Sequence, residues 1–374
     1  MASKIPTQQR ALVLQKFGSD IQLQHVPTPQ LELGTVIVRV SATTILSYQR
    51  GVYDGSRGLY GVPTPLVIGI SAIGRVAGLP ADATLLEEGQ LVYVDCVVRG
   101  RDDPSALFLS AIHAGSKSGS KKLMADVYRD GSFAEYMRAP LENCIPLDET
   151  RLCKTLGYPI HDLMYMSCLL VSFGGLRDIG LEPGETVVVS PATGNFGGAG
   201  VLVAVAMGAR VIAMGRNTTE LARLKELAER GKPGACVETV PISGDEETDT
   251  AALKAFGTID AVLDLTPPIA SKSTHLKSAI SALRHSGRVS LMGFPDLSAS
   301  MWHVVGSNIV MKGKLMYSRE DMLLFVKMLE RGLFPKAQEF VDTKAFALEQ
   351  WEEALDVAAR HTGLGRQVIF VPEK

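Results

Sequence analysis

The stretch from Thr186 to Gly208 constrains the fold more than any other. Thr186-Val187-Val188-Val189-Ser190 has the character of a buried strand, the following residues turn tightly on glycines, and Ala199 to Met207 is small and apolar up to a helix-ending Gly208. Strand, glycine turn and helix in that order open a βαβ unit with a parallel sheet. In the loop Ala192-Thr193-Gly194-Asn195-Phe196-Gly197, the three positions of the GxGxxG frame hold Ala192, Gly194 and Gly197. The middle glycine lets backbone approach a pyrophosphate, and the last lets the helix pack on the strand. The amide groups and positive dipole end of that helix favour an anion. The loop therefore predicts a bound nicotinamide dinucleotide. A tight turn in any α/β protein carries similar letters, and it is the flanking strand and helix that raise this one above it.

At 374 residues the chain exceeds what a single core supports, so two domains are expected. From Ala11 to Tyr136 it reads as short extended runs divided by Gly and Pro, a β-rich, barrel-like pattern. After Pro183-Gly184 the texture becomes strand, glycine loop, helix and strand through Met292. Leu315 to Arg331 and Ala347 to His361 read as amphipathic helices, and Gln367 to Val371 as a last extended run. The expected fold class is α/β, with a barrel domain over 1–158 and 320–374 and a doubly wound parallel-sheet domain over 159–319, and a small-molecule cleft between them. The run Gly115-Ser116-Lys117-Ser118-Gly119-Ser120-Lys121-Lys122 lacks the GxxxxGK[ST] spacing and a preceding strand, so it reads as a solvated loop.

Composition excludes other classes. With 46% hydrophobic and 21% charged residues the chain is an ordinary globular protein, and its net charge of −2, from interspersed acids and bases, argues against a nucleic-acid partner. No stretch offers eighteen uninterrupted apolar residues and Met1 to Arg10 lacks a secretory core, so no membrane association and a cytoplasmic location are expected. Cys96, Cys144, Cys153, Cys168 and Cys236 are odd in number and contain no CxxC, which speaks against a disulfide framework.

Cofactor preference is read from the second strand, Arg210 to Met214. Eighteen residues past Gly197, where an NAD site would carry Asp or Glu for the ribose 2′-hydroxyl, stand Gly215-Arg216-Asn217. A guanidinium and no carboxylate favour a 2′-phosphate, hence NADPH (NADP+). Asn217 is equally readable as a helix N-cap with Glu220 as capping-box partner. The strands Ile259 to Leu265 and Arg288 to Met292 end at Thr266-Pro267-Pro268 and Gly293-Phe294-Pro295. Thr266, Met292 and Gly293 would then lie along the nicotinamide half of the cofactor, although ordinary loop chemistry explains the prolines and glycines as well.

The pieces Val38-Arg39-Val40 leading to Gly51-Val52-Tyr53, Pro65-Leu66-Val67-Ile68-Gly69 with Gly74, Asp130-Gly131-Ser132-Phe133-Ala134-Glu135-Tyr136, Leu181 to Val189, the glycine loop and Met207 to Ile212 follow one another in order. With them the chain resembles the medium-chain dehydrogenase/reductase superfamily over almost its whole length. The resemblance implies a GroES-like β-barrel domain, a Rossmann cofactor domain and a C-terminal return to the barrel. It also places Leu46, Ile70 and Ser167 where zinc-dependent members hold Cys, His and Cys. Leucine and isoleucine have no lone pair to donate, so no metal is expected. The zinc-free branch, with its quinone and enoyl reductases, implies an NADPH-dependent oxidoreductase delivering hydride to an activated C=C bond of a small hydrophobic molecule. A zinc-free carbonyl reductase, or a non-redox isomerase-like or non-catalytic NADPH-binding protein, are the alternatives. Tyr53 matches a tyrosine proposed as the acid in some enoyl reductases. Tyr48 lies two residues past Leu46, where metal-dependent relatives keep a proton-relaying hydroxyl. Each could instead pack its ring in the cleft wall. Arg366 matches a pyrophosphate-contacting basic residue of some relatives, or is an exposed arginine without function. His161 and Asp162 read as a helix start. A homodimer through the edge stretch Asn308-Ile309-Val310-Met311 is implied as well.

Overall fold

The computed structural model describes residues 5–58, 60–296 and 301–372. The chain divides into two compact units, 1–165 with 342–362 and 367–374, and 166–341 with 363–366. The expected boundaries at 158/159 and 319/320 thus fall at 165/166 and 341/342. The later one moves because the helix Arg319–Glu330 (α9) belongs to the second unit, where Phe325 meets Phe173 edge-on with ring centroids 5.6 Å apart.

The first unit is built from short strands: Gln8–Leu14 (β1), Ile21–Pro27 (β2), Thr35–Ile45 (β3), Leu66–Val67 (β4), Ala72–Gly78 (β5), Leu91–Val94 (β6), Val97–Arg99 (β7), Leu107–Leu109 (β8), Tyr136–Pro140 (β9) and Cys144–Pro146 (β10). Asp342–Phe346 (β17) and Arg366–Phe370 (β18) return to it. The strand β3 is its hub, pairing antiparallel with β5, β9 and β18. Alternation of apolar and polar residues along these strands turns Leu12, Leu14, Ile45, Leu66, Phe133 and Phe370 into one core. Two helices, Gln49–Tyr53 (α1) and Trp351–Arg360 (α11), close over it, and α11 inserts Ala354, Leu355 and Ala358. The run expected as a solvated loop instead contains a helix, Ser118–Asp126 (α2), which buries Ser120 and Met124, so the apolar residue following the lysines decided against the loop.

The second unit carries the six parallel strands Thr186–Ser190 (β11), Arg210–Gly215 (β12), Val237–Pro241 (β13), Ala261–Asp264 (β14), Arg288–Leu291 (β15) and Val310–Gly313 (β16), in the order β13-β12-β11-β14-β15-β16. This is the doubly wound 3-2-1-4-5-6 order, whose connection reverses direction between β11 and β14 and opens a ligand crevice at their carboxyl ends. The near-continuous apolar runs follow from burial of both sheet faces. Helices Met166–Asp178 (α3), Asn195–Ala206 (α4), Thr218–Gly231 (α5), Glu246–Lys254 (α6), His275–Ala282 (α7), Met301–Gly306 (α8), α9 and Ala337–Phe340 (α10) accompany it. Among the described residues, no helix is long and apolar enough to cross a membrane. All five cysteines are free.

Candidate functional site

The carboxyl ends of β11 and β14 bring the expected dinucleotide loop to the crevice. Ala192 is buried and its N–H donates to Met214 O at 2.7 Å, tying the turn to β12. At Gly197 an added Cβ would stand 2.0 Å from Pro191 O, so glycine is what allows α4 to pack on the strand it follows. A Cβ at Gly194 would meet nothing within 4 Å, so its bare backbone faces open space and not another part of the protein. Gly194 is also the N-cap of α4 and supplies no side-chain bond, whereas α5, α6 and α9 are capped by Asn217, Asp245 and Ser318. An uncapped twelve-residue helix with an exposed glycine at its start fits a pyrophosphate.

Several other expected contacts resolve differently. The Asn195 side chain is taken up by the turn 363–366, donating to Arg366 O at 3.1 Å and accepting from Gly363 N at 2.9 Å. Phe196 accepts Ser172 Oγ on its carbonyl at 2.8 Å. Thr193 packs its methyl against Gly215, where a Cβ would come within 2.6 Å of it, so Gly215 has a packing reason beside the missing carboxylate. Asn217 caps α5 by accepting Glu220 N–H at 3.1 Å. The expected reciprocal bond from Glu220 does not form: its carboxylate pairs with Arg366 at 3.2 Å and Arg223 at 3.5 Å. Arg366 is thus an ion-paired residue of the α5 face and not a free pyrophosphate ligand. Arg216 is exposed at the end of β12, and no carboxylate among the described residues reaches it.

At the end of β14, Thr266 is buried and its hydroxyl bonds Asp264 and, at 2.9 Å, His275 Nε2, while His275 Nδ1 meets Ser273 Oγ at 2.7 Å. The hydroxyl of Thr266 therefore belongs to a buried polar network. Sequence reading missed this network because Asp264 and His275 lie in different elements. Gly293 stands against it, since a Cβ there would be 2.2 Å from Thr266 N. Met292 N–H donates to Asp264 O at 3.0 Å, fixing the ends of β14 and β15 side by side.

In the barrel unit the two tyrosines separate. Tyr53 is fully buried, and its hydroxyl accepts from Gln49 Nε2 at 2.9 Å and from Gly69 N at 3.2 Å. Burial pushes its phenol up to about 12, only partly offset by those bonds, which makes it a poor proton donor near neutral pH. Tyr53 is a core residue of the barrel, not the accessible acid expected. Because its folded pKa exceeds the unfolded value of about 10, its stabilising contribution is complete below about pH 10 and is lost as pH rises through about 12. Urea unfolding at about pH 9 and about pH 11.5 should therefore show the wild type losing more stability between the two than Tyr53→Phe does. Tyr48, at the start of α1, is half-buried and stacks on Tyr60 with centroids 6.1 Å apart.

Asp162 starts a short 3-10 turn before α3, as its sequence position suggested, and accepts Thr343 Oγ1 at 2.6 Å. Burial raises its pKa above the ordinary carboxylate value.

Residues 32–149 match the alcohol dehydrogenase GroES-like domain. The chain is 24% identical to an L-threonine 3-dehydrogenase of Mesorhizobium japonicum, over 96% of this chain and 98% of that one. Over its length the chain is thus similar to dehydrogenases of this kind, and over residues 32–149 to their GroES-like domain. An alcohol dehydrogenase of Rhizobium meliloti is 27% identical over 83% of this chain and 85% of its own length. The crystal structure of a putative alcohol dehydrogenase from Sinorhizobium meliloti superposes with a TM-score of 0.75 at 21% identity, covering 99% and 98% of the two chains. These relatives carry dehydrogenase names and not reductase names.

The zinc of metal-dependent superfamily members does not fit the residues present. Leu46 is half-buried and Ile70 buried, and neither can donate an electron pair. Ser167 is buried on α3, and its neighbour Cys168 has its thiol pushed up to about 12 by burial, far from the thiolate a metal needs. Among the described residues, no three His, Cys, Asp or Glu side chains gather as a metal site.

Proposed function

We propose that the protein is a zinc-independent, NADPH-dependent oxidoreductase that reduces an activated C=C bond, an enone, enoyl or quinone, of a small organic molecule. The single observation that carries the cofactor half is the uncapped start of α4 beneath an unfilled Gly194, with Arg216 exposed at the end of β12 and without a carboxylate partner among the described residues. The Gly194 backbone and the first-turn amides of α4 would hold the pyrophosphate. Arg216 would pair with the 2′-phosphate through its planar fork. When bound, NADPH supplies the hydride.

The residues of the barrel unit argue for the acceptor half. Oxidation of an alcohol in metal-dependent relatives relies on a Lewis acid, and Leu46 and Ile70 offer none. A conjugated acceptor needs only polarisation and a proton, which a tyrosine hydroxyl can supply. With Tyr53 buried in the core, the role is assigned to Tyr48, which is half-buried at the start of α1. The relatives' dehydrogenase names favour a second reading, reduction of a ketone or aldehyde with the same tyrosine as acid. A cofactor-binding protein without turnover would retain NADPH and consume none.

Incubation with NADPH and one enone separates these readings. Loss of the alkene supports the proposal, loss of the carbonyl supports the second reading, and no NADPH consumption over a broad panel of enones and aldehydes overturns both. On the same reading NADPH binds more tightly than NADH, and Arg216→Ser removes about tenfold or more of that preference. A preference for NADH in the unaltered protein would overturn the cofactor assignment.

A homodimer in the cytoplasm completes the proposal. Its support is the edge strand β16, which among the described residues pairs only with β15 and exposes 54% of Val310, with Trp302, Val305 and Leu315 exposed in the same stretch. Sedimentation at micromolar concentration is expected to give twice the chain mass of 40.1 kDa, and a particle of one chain mass excludes the dimer.

A further inference from the structure

The segment after α1 holds an arginine that the proposed function does not use. Arg57 lays its guanidinium over the ring of Tyr48, 4.5 Å from the centroid. The backbone fixes it on both sides, since Arg57 N donates to Gly51 O at 2.9 Å and Arg57 O accepts Tyr60 N–H at 3.2 Å. Its stem crosses Gly51, where an added Cβ would be 3.3 Å from Arg57 Cγ. The glycine and tyrosine of the Gly51-Val52-Tyr53 motif thus have separate duties, Tyr53 in the core and Gly51 as the bed of Arg57.

Among the described residues this cation has no anion. Arg10, Arg50, Arg75, Arg101, Arg129 and Arg138 of the same unit each hold a carboxylate. Among the described residues none reaches Arg57, and the nearest acid in sequence, Asp54, accepts Ser56 N–H at 2.8 Å instead. Stacking on Tyr48 occupies one face of the guanidinium and leaves its edge, the part that forms two parallel bonds to a carboxylate, unengaged. Tyr48 and Tyr60 form a partly buried aromatic wall beside it, packed on the barrel core.

We propose that Arg57 is the anchor for a carboxylate, so that the substrate is a small unsaturated organic acid and not a neutral hydrophobic molecule. The inference rests on the reading that Tyr48 stands at the reacting end of the substrate pocket. One cation matches a monoanion better than a phosphate dianion, and a planar fork matches a carboxylate in geometry. The unsaturated body of the acid would lie along the Tyr48 and Tyr60 rings, which favour a flat, conjugated partner.

The test uses trans-cinnamate and its neutral counterpart cinnamamide, titrated calorimetrically into the full chain saturated with NADP+. Cinnamate is expected to bind about tenfold or more tightly than the amide. Arg57→Gln should bring the two within about twofold, and Arg57→Lys should keep part of the preference because charge remains while the fork is lost. Unchanged thermal melting of both variants excludes a folding defect. Equal binding of acid and amide by the unaltered protein, a preference that survives Arg57→Gln, or no measurable cinnamate binding at millimolar concentration overturns the anchor. Displacement of cinnamate by inorganic phosphate at lower concentration than by acetate overturns the choice of carboxylate. If cinnamate binds in the Arg57-dependent way but neither it nor any enone is reduced by NADPH, the anchor stands and the reductase reading falls.

Discussion

Gly197→Ala is expected to lower the stability of the cofactor unit by about 3 kcal/mol or more, whereas Gly194→Val, three residues earlier in the same loop, leaves stability unchanged and abolishes most dinucleotide binding. The two glycines face different neighbours. At Gly197 the new methyl would sit 2.0 Å from Pro191 O and 2.9 Å from Ala192 Cα, and both are backbone atoms that cannot rotate away. For a unit of this size each kcal/mol lowers the melting temperature by about 2–4 °C, so a drop of roughly 6–12 °C is expected for Gly197→Ala in a calorimetric scan. At Gly194 the backbone is extended, with φ −88° and ψ 174°, and a side chain meets nothing in the protein. It would meet the pyrophosphate. Titration of NADPH fluorescence should show binding weakened about a hundredfold, or about 2.7 kcal/mol. Tight NADPH binding by Gly194→Val would mean that the phosphates do not approach that backbone.

Tyr48→Phe is expected to reduce kcat for an unsaturated substrate by about 10²- to 10⁴-fold while changing KM little. The variant keeps the ring, and with it the stack on Tyr60 and the guanidinium of Arg57 over its face, so only the hydroxyl is removed. A kcat within about threefold of the unaltered enzyme would make Tyr48 a packing residue and leave the proton to another donor or to water. The comparison with Tyr53→Phe sharpens the test. That hydroxyl is enclosed by Gln49 and Gly69, so its loss costs stability and not turnover.

The strand–glycine–helix signal and the capping of α5 by Asn217 were legible in the chain because each depends on neighbours a few residues apart. The helix-against-strand role of Gly197 was legible for the same reason, since Pro191 and Ala192 are adjacent in sequence. Helix α2 was missed because lysines and serines conceal Met124, the one buried apolar residue of its span.

Residues whose partners come from distant segments were not legible. Asn195 and Arg366 read as cofactor ligands, yet the first holds the turn 363–366 and the second pairs with Glu220, contacts spanning 171 and 146 residues. Thr266 read as a nicotinamide neighbour, and its bond to His275, which belongs to the next helix, was not foreseen. A sequence displays the chemistry a side chain can perform, but a donor or acceptor can be spent only once, and which partner arrives first is settled by packing. Tyr48 and Tyr53 make the point with identical side chains. Five residues apart, one has its hydroxyl buried against Gly69 of another strand connection, and the other lies half-buried under an arginine whose place depends on Gly51 having no side chain. The chain's local order states that a dinucleotide loop and a two-unit α/β fold will form. Which tyrosine is sealed in the core, and which arginine meets no carboxylate among the described residues, follows only from the long-range contacts that the others make.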